Sequence, residues 1–99
     1  MISRQWRGLA KPEHAVGYLE HLREDTFPTL RKIPGFIDAS ILRRSVDEGI
    51  EFLIVTRWKS MEAVKRFAGG DPEAAVVPEK VQAMMIEFDR SVRHYEILE

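Results

Sequence analysis

The sequence contains no cysteine. Disulfides, thiolate metal ligands and thiol nucleophiles are therefore excluded, and a reducing cytoplasm is the location we expect. No apolar run approaches the ~20 residues that a membrane-spanning helix needs, and the first residues lack the apolar region of a signal peptide. Acidic and basic residues nearly balance, 16 against 15, so no positive excess favours nucleic acid. We expect neither a membrane nor a nucleic-acid partner.

Motifs for metal, phosphate or triad chemistry are also missing. His14 and His21 lie seven residues apart, which is about 10 Å along a helix and too far for one shared ion. The sequence has no HExxH pair, no glycine-rich phosphate loop and no serine-histidine-acid signature. We therefore predict no metal site and no bound cofactor.

The 99 residues, of which 44% are hydrophobic, are enough for one domain over 1–99 with one core. Alternation predicts a strand over 2–9, with Arg4 and Trp6 on the same face. A helical stripe then starts near Pro12, and Pro28 should end or kink that helix. Two strands over 36–44 and 50–58 flank a polar loop and form a hairpin.

The second half of the chain is predicted by its caps and its apolar spacing. Ser60 is a helix N-cap, and Gly69 and Gly70 stop the helix that follows. The spacing of apolar residues over 79–88 favours another short helical piece, although an anchored loop also fits. The last strand is expected over 91–98.

This order of strand, helix, strand, strand, helix, strand predicts an α+β, ferredoxin-like split βαβ fold with a four-stranded antiparallel sheet. Helices can cover only one face of that sheet, yet the strand segment Phe52 to Val55 is apolar at every position, as if both faces were buried. We expect a second copy of the chain to cover the other face as a homodimer. The alternative is that residues 71–88 shield Leu53 and Val55.

Three segments resemble the antibiotic biosynthesis monooxygenase family. They are the run from Trp58 to Phe67 (WKSMEAVKRF), Ile33 to Phe36 (IPGF) and Val92 to Glu96 (VRHYE). The resemblance covers nearly the whole chain and implies a dimeric α/β-barrel. Members of that family oxygenate quinol-like or polyketide aromatics without metal or flavin, or degrade haem.

The haem-degrading branch of that family uses a tryptophan and a histidine near the second helix and an asparagine on the first strand. The matching positions here hold Phe67, the neighbourhood of Val77 and a position near Gln5. Because no imidazole stands where iron would be ligated, haem degradation is the less favoured interpretation.

A cofactor-free oxygenase needs a dry aromatic pocket, a base and a group that stabilises oxyanion charge. We predict Trp6, Phe67 and Arg4 as substrate-binding residues, and Trp58 and His94 as catalytic residues. Arg57 is a weaker candidate than Arg4 because alternation turns it away from Trp58. Each of these residues also has a structural interpretation, as core tryptophan, satisfied histidine or sheet-end ion pair.

The sequence thus predicts a cofactor-independent monooxygenase-like protein that acts on a small aromatic or quinol-type molecule. The alternative is a non-catalytic module that binds a hydrophobic metabolite or only dimerises.

Overall fold

In the computed structural model, which describes residues 1–99, five strands form one antiparallel sheet. The strands are β1 (Ile2–Ala10), β2 (Phe36–Ser45), β3 (Ile50–Trp58), β4 (Met85–Phe88) and β5 (Arg93–Glu96). The α-helices are α1 (Ala15–His21), α2 (Phe27–Arg31), α3 (Met61–Ala68) and α4 (Glu79–Met84). None of these helices combines the length and hydropathy needed to cross a membrane.

The sheet has the strand order β2-β3-β1-β4, and β5 also pairs with β1. All of these pairings are antiparallel, and β1 pairs with β3 along its whole length, from Ile2 opposite Trp58 to Ala10 opposite Ile50. This arrangement is the predicted ferredoxin-like α+β fold, with β1 and β3 as the central strands.

The fourth strand position is shared by two short strands. β4 pairs with the end of β1 near Gly8, and β5 pairs with its beginning, Ile2 to Gln5. The sequence predicted a helical piece over 79–88 and one final strand over 91–98. Both bounds were wrong, because the helix ends at Met84, residues 85–88 form a strand, and the last strand covers only Arg93–Glu96. Beyond Asp89, whose carbonyl accepts from the indole Nε1–H of Trp6 at 2.8 Å, residues 90–92 bond instead to the backbone of residues 73–75.

The first helical segment is continuous from Pro12 to Arg31, but its hydrogen bonding changes along the way. A 3₁₀ turn (Pro12–His14) leads into α1, and a π-helical turn (Leu22–Thr26) joins α1 to α2. The backbone N–H of Phe27 donates to the carbonyl of Leu22, five residues back. Pro28 has no N–H to donate, and the wider turn before it accommodates its ring. The hydrogen-bonding pattern of the helix therefore changes there, and the helix continues.

Helix α3 has the predicted caps. The Ser60 hydroxyl accepts a hydrogen bond from the backbone N–H of Ala63 at 3.3 Å, which satisfies one free donor of the first turn. Gly69 ends the helix with a φ of 78°, a conformation that glycine adopts without cost.

Both faces of β3 are apolar over 52–55, as the composition of the strand indicates, but the two faces differ in burial. Phe52, Ile54 and Trp58 point towards the helices and are buried in the main core cluster, whereas Leu53 and Val55 alternate to the other face and are half-buried. Leu42 of β2 lies opposite Leu53 and is 48% exposed. An apolar stripe therefore runs across the outer face of the sheet.

Most apolar side chains from 71 to 88 lie away from this stripe, although Glu87 pairs with Arg7 at its edge. Val77, Val81 and Met85 pack against the core cluster on the helix side. Ion pairs flank the stripe instead, with Arg57 bound to both carboxylate oxygens of Asp38 at 2.7 Å. At the other end, Glu51 accepts from Arg7 and Arg44 at 2.6 and 2.7 Å.

Candidate functional site

A cavity of about 90 Å³ lies between the helices and the inner face of the sheet. Eleven of its 14 lining residues are hydrophobic, so the cavity favours an apolar ligand with a few polar anchors. Val76 is 49% exposed and marks the mouth. The lining residues are Arg4, Trp6, Tyr18, Leu22, Thr26, Leu30, Ile54, Thr56, Trp58, Phe67, Val76, Val77, Val81 and Val92.

Trp58 forms the floor of the cavity at the end of β3 and is completely buried. Its ring stacks on Phe67 of α3, with centroids 6.1 Å apart and planes 24° from parallel, and meets the edge of Phe36 at 5.2 Å. The indole Nε1–H donates to the hydroxyl of Thr56 at 2.8 Å. Trp58 and Phe67 therefore offer fixed aromatic surface to a ligand.

Trp6 is a second aromatic wall, on β1. Its centroid lies 6.1 Å from that of Tyr18 and 6.5 Å from that of Phe88. Gly8 makes room for it, because a Cβ at residue 8 would collide with the far edge of the Trp6 ring. The alternation of β1 thus places Trp6 and Arg4 on the cavity side together, as predicted.

Arg4 is a buried cation at the same cavity, with only 5% of the residue exposed. Its Nη1 donates to the carbonyl of Pro72 at 2.5 Å, and its Nη2 donates to that of Ala74 at 3.1 Å. The guanidinium carbon lies 5.7 Å from the centroid of Phe67, within the range of a cation–π contact. Burial lowers the pKa of Arg4 from its ordinary value.

His94 of β5 stands behind Arg4 and is not among the residues that line the cavity. Its Nε2 is 2.9 Å from Nη1 of Arg4. Because arginine can only donate, Nε2 must accept, and the ring is neutral with its proton on Nδ1. Burial and the positive charge of Arg4 lower the pKa of His94, while Glu73 opposes the shift.

Tyr18 is a site residue that the helical pattern did not distinguish from the rest of the core stripe. It lines the cavity, and its ring meets the edge of Phe52 at 4.9 Å. Burial alone raises the pKa of its phenol, so the hydroxyl stays protonated and able to donate. Thr26, which the π-helical turn places on the cavity wall, is a second polar residue that sequence periodicity missed.

Four of the five residues predicted for the site therefore surround one space, and the fifth, His94, contacts Arg4. A second depression of about 320 Å³ lies between α2 and the start of β2, but only six residues line it. No group of three or more histidine and carboxylate side chains lies close enough to hold a metal ion. The aromatic cavity is the better candidate site.

Solved structures with the same fold support this architecture. A Bacillus cereus protein described as an antibiotic biosynthesis monooxygenase aligns with a TM-score of 0.67 at 22% identity, over 100% of this chain and 94% of that one. A haem-degrading Mycobacterium tuberculosis protein, with two haems in its active site, aligns with a TM-score of 0.61 at 22% identity, over 100% and 97%.

A Streptomyces coelicolor monooxygenase in complex with nanaomycin D gives a TM-score of 0.62 at 16% identity, over 95% of this chain and 82% of the other. At such identities these likenesses show the fold alone. No curated protein matches the chain. The family model of the antibiotic biosynthesis monooxygenases, however, matches residues 1–85. The chain therefore belongs to the antibiotic biosynthesis monooxygenase family.

Proposed function

We propose that the protein binds a small aromatic or quinol-type molecule in the cavity between Trp6, Trp58 and Phe67, and oxygenates it without a cofactor. The observation that carries the proposal is the meeting of three aromatic rings and one buried guanidinium at a single apolar space. Family membership supports an oxygenase, as does the monooxygenase neighbour with its bound nanaomycin D.

The chemistry needs an easily oxidised substrate, because its own electrons must reduce O₂. For an activated methylene the balance is CH₂ + O₂ → C=O + H₂O, with one oxygen atom entering the product and the other leaving as water. Loss of a proton from a neighbouring phenol would start the reaction, and a cation at the phenolate oxygen favours that loss. We assign this role to Arg4. The proton passes to water, or to His94 once its Nε2, which accepts from Arg4 in this structure, is released.

The walls of the cavity supply the remaining requirement, which is exclusion of water. Trp58 and Phe67 are held by stacking, and the single indole donor of Trp58 is already bound to Thr56. A ligand can therefore be held by shape and ring contacts while its polar end meets Arg4. At about 90 Å³ the cavity is smaller than the ~150 Å³ that accommodates benzene, so even a single aromatic ring requires the cavity wall to move.

Oxygen uptake with a panel of quinols and anthrones tests this proposal. Added protein is expected to accelerate uptake with at least one member of the panel, and V77W, which fills the cavity, is expected to remove the acceleration. V16W is the matched control, because Val16 is 66% exposed on α1 and does not line the cavity. Uptake that is unchanged by the wild-type protein across the panel would contradict the proposed oxygenase.

The rival function is a non-catalytic module that binds a hydrophobic metabolite in the same cavity. H94A separates the two, because acid–base chemistry needs a titrating group whereas binding does not. If His94 takes part in proton transfer, H94A lowers kcat and alters its pH profile while ligand affinity changes little. A variant with unchanged turnover and affinity would favour the rival.

Haem handling is less well supported for this chain. No histidine lines the cavity, and the Nε2 atom of His94 is occupied by Arg4. A haem titration without a shifted Soret band is the result we expect.

We further propose that the protein is a homodimer that packs outer face against outer face. Leu42, Leu53 and Val55 form an apolar stripe between ion pairs, a layout that a twofold axis can make complementary to itself. Most apolar residues from 71 to 88 pack on the helix side, away from the stripe, and Glu87 reaches only its edge, at Arg7.

A further inference from the structure

The buried arginine of the cavity has no carboxylate partner. The four arginine–carboxylate pairs of the chain involve Arg7, Arg44 and Arg57, and Arg4 is in none of them. Arg57 and Arg44 are far more exposed than Arg4. Arg4 is therefore a buried guanidinium without a carboxylate partner, although more exposed arginines such as Arg44 and Arg57 have one.

The contacts that Arg4 does make are with neutral groups. They are the carbonyls of Pro72 and Ala74, the imidazole of His94 and the ring of Phe67. The dipoles of these carbonyls and of the imidazole, and the face of the Phe67 ring, reduce the free-energy cost of burying the cation, but they carry no negative charge. Burial is the only influence on the pKa of Arg4, and it acts to lower it, whereas a nearby carboxylate would act in the opposite direction.

Arg4 also has hydrogen-bond donors to spare. A guanidinium has five N–H donors, and the three bonds of Arg4 use both hydrogens of Nη1 and one of Nη2. The Nε–H and one Nη2 hydrogen remain, which is the number that a bidentate carboxylate requires. Apart from Arg4, no charged residue lines the cavity, so an anion would meet no repulsion from the walls.

We propose that the natural ligand of the cavity is an aromatic carboxylate, whose ring lies against Trp6, Trp58 and Phe67 and whose carboxylate is bound by Arg4. This inference rests on the proposed binding of an aromatic molecule in the cavity and narrows that molecule to an anion. A carboxylate on Arg4 would take the place there of a phenolate oxygen. The carboxylate of the ligand supplies the negative charge that no side chain of the protein places beside Arg4. The apolar walls strengthen this ion pair by excluding water.

Benzoate and benzamide are the probes that test the charge. They have nearly the same shape and differ in the negative group, so the ratio of their affinities reports the charge requirement. At neutral pH the wild-type protein is expected to bind benzoate about 10- to 100-fold more tightly than benzamide, measured by calorimetry or tryptophan fluorescence. Equal affinities, or a preference for benzamide, would overturn the inference without any variant.

Two variants of Arg4 and one control locate the effect. R4Q is expected to remove the preference for benzoate, while R4K, which keeps the charge but loses the planar fork, keeps part of it. R43Q is the control, since Arg43 is exposed on β2 and does not line the cavity. A folded R4Q that retains the full preference would overturn the assignment.

The outcomes also separate this inference from the function on which it rests. Binding of benzamide and phenol without any preference for benzoate would refute the anionic ligand and leave the aromatic site intact. Failure of all three probes to bind would refute both.

Discussion

The substitution L53D tests the proposed homodimer where the structure gives the clearest expectation. Leu53 lies at the centre of the apolar stripe, opposite Leu42 on β2 and opposite Arg7 on β1. In a lone protomer an aspartate there stays solvated and lies beside a cation, so the fold should tolerate it. In a dimer the same carboxylate would be buried against apolar groups of the partner.

The magnitude follows from burial and symmetry. Leu53 is already half-buried in the protomer, so covering the rest of it is worth about half of the ~1.5–3 kcal/mol of a full burial, and a twofold axis counts each substitution twice, which gives about 1.5–3 kcal/mol per dimer. The dimer dissociation constant should therefore rise by a factor of about 10 to 10². Repulsion between two facing carboxylates adds to this factor.

Sedimentation velocity over about 1 to 100 µM protein measures the effect. The wild-type protein is expected to sediment as a dimer and L53D as a monomer with an unchanged circular dichroism spectrum. V16D is the matched control, because Val16 is on α1 and away from the sheet face. A wild-type monomer throughout this range, or an L53D dimer, would refute the reasoning.

Two further predictions concern stability. The pKa of His94 is lowered in the folded state, chiefly by burial and then by Arg4. As the pH falls, His94 is therefore protonated in the unfolded chain before it is protonated in the folded one. The free energy of unfolding should fall as the pH drops below about 6.5, and H94Q should remove that dependence. Stability of the variant that falls as steeply as the wild type over this pH range would contradict the assignment. G35A should cost at least about 1 kcal/mol in urea unfolding, because Gly35 has a φ of 95° and an added Cβ would meet Ala63 Cβ at 2.5 Å. G70A, with open space around it, should stay within about 0.5 kcal/mol, and equal losses in the two variants would argue against strain at Gly35.

Periodicity and caps were sufficient to predict most of the fold. The alternation along β1 predicted that Arg4 and Trp6 share a face, and the caps of α3 lie at Ser60 and Gly69 as expected. These signals succeed because they are local, since each depends on the conformation of a few consecutive residues.

The break between β4 and β5 could not be predicted in the same way. Met85, Ile86 and Phe88 are apolar at a spacing that fits a strand or a helix equally well, and a short run of this kind carries no decisive period. β4 ends where residues 90–92 leave β1 and bond to the backbone of residues 73–75, a long-range pairing. Such a contact has no local signature.

The candidate site likewise contains residues that local signals predict and contacts that they do not predict. The aromatic residues and Arg4 could be predicted from residue type and alternation, whereas the carbonyls of Pro72 and Ala74 that hold Arg4 could not, because backbone acceptors are the same at every residue. The position of His94 behind Arg4 follows from the pairing of β5 with β1, opposite Arg4 itself. The cytoplasmic location stays a prediction.

The most direct test of the central claim, an aromatic ligand in the cavity, uses the two indole N–H signals of the chain. Trp6 and Trp58 are its only tryptophans, and both line the cavity, so a ¹H–¹⁵N spectrum reports on two of its walls without interference. Titration with phenol is expected to shift the Trp6 and Trp58 signals in the wild-type protein and in V16W, and neither of these two in V77W, with the third indole signal of each variant assigned separately. Unmoved indole signals in the wild type, or shifts that persist in V77W, would contradict the account.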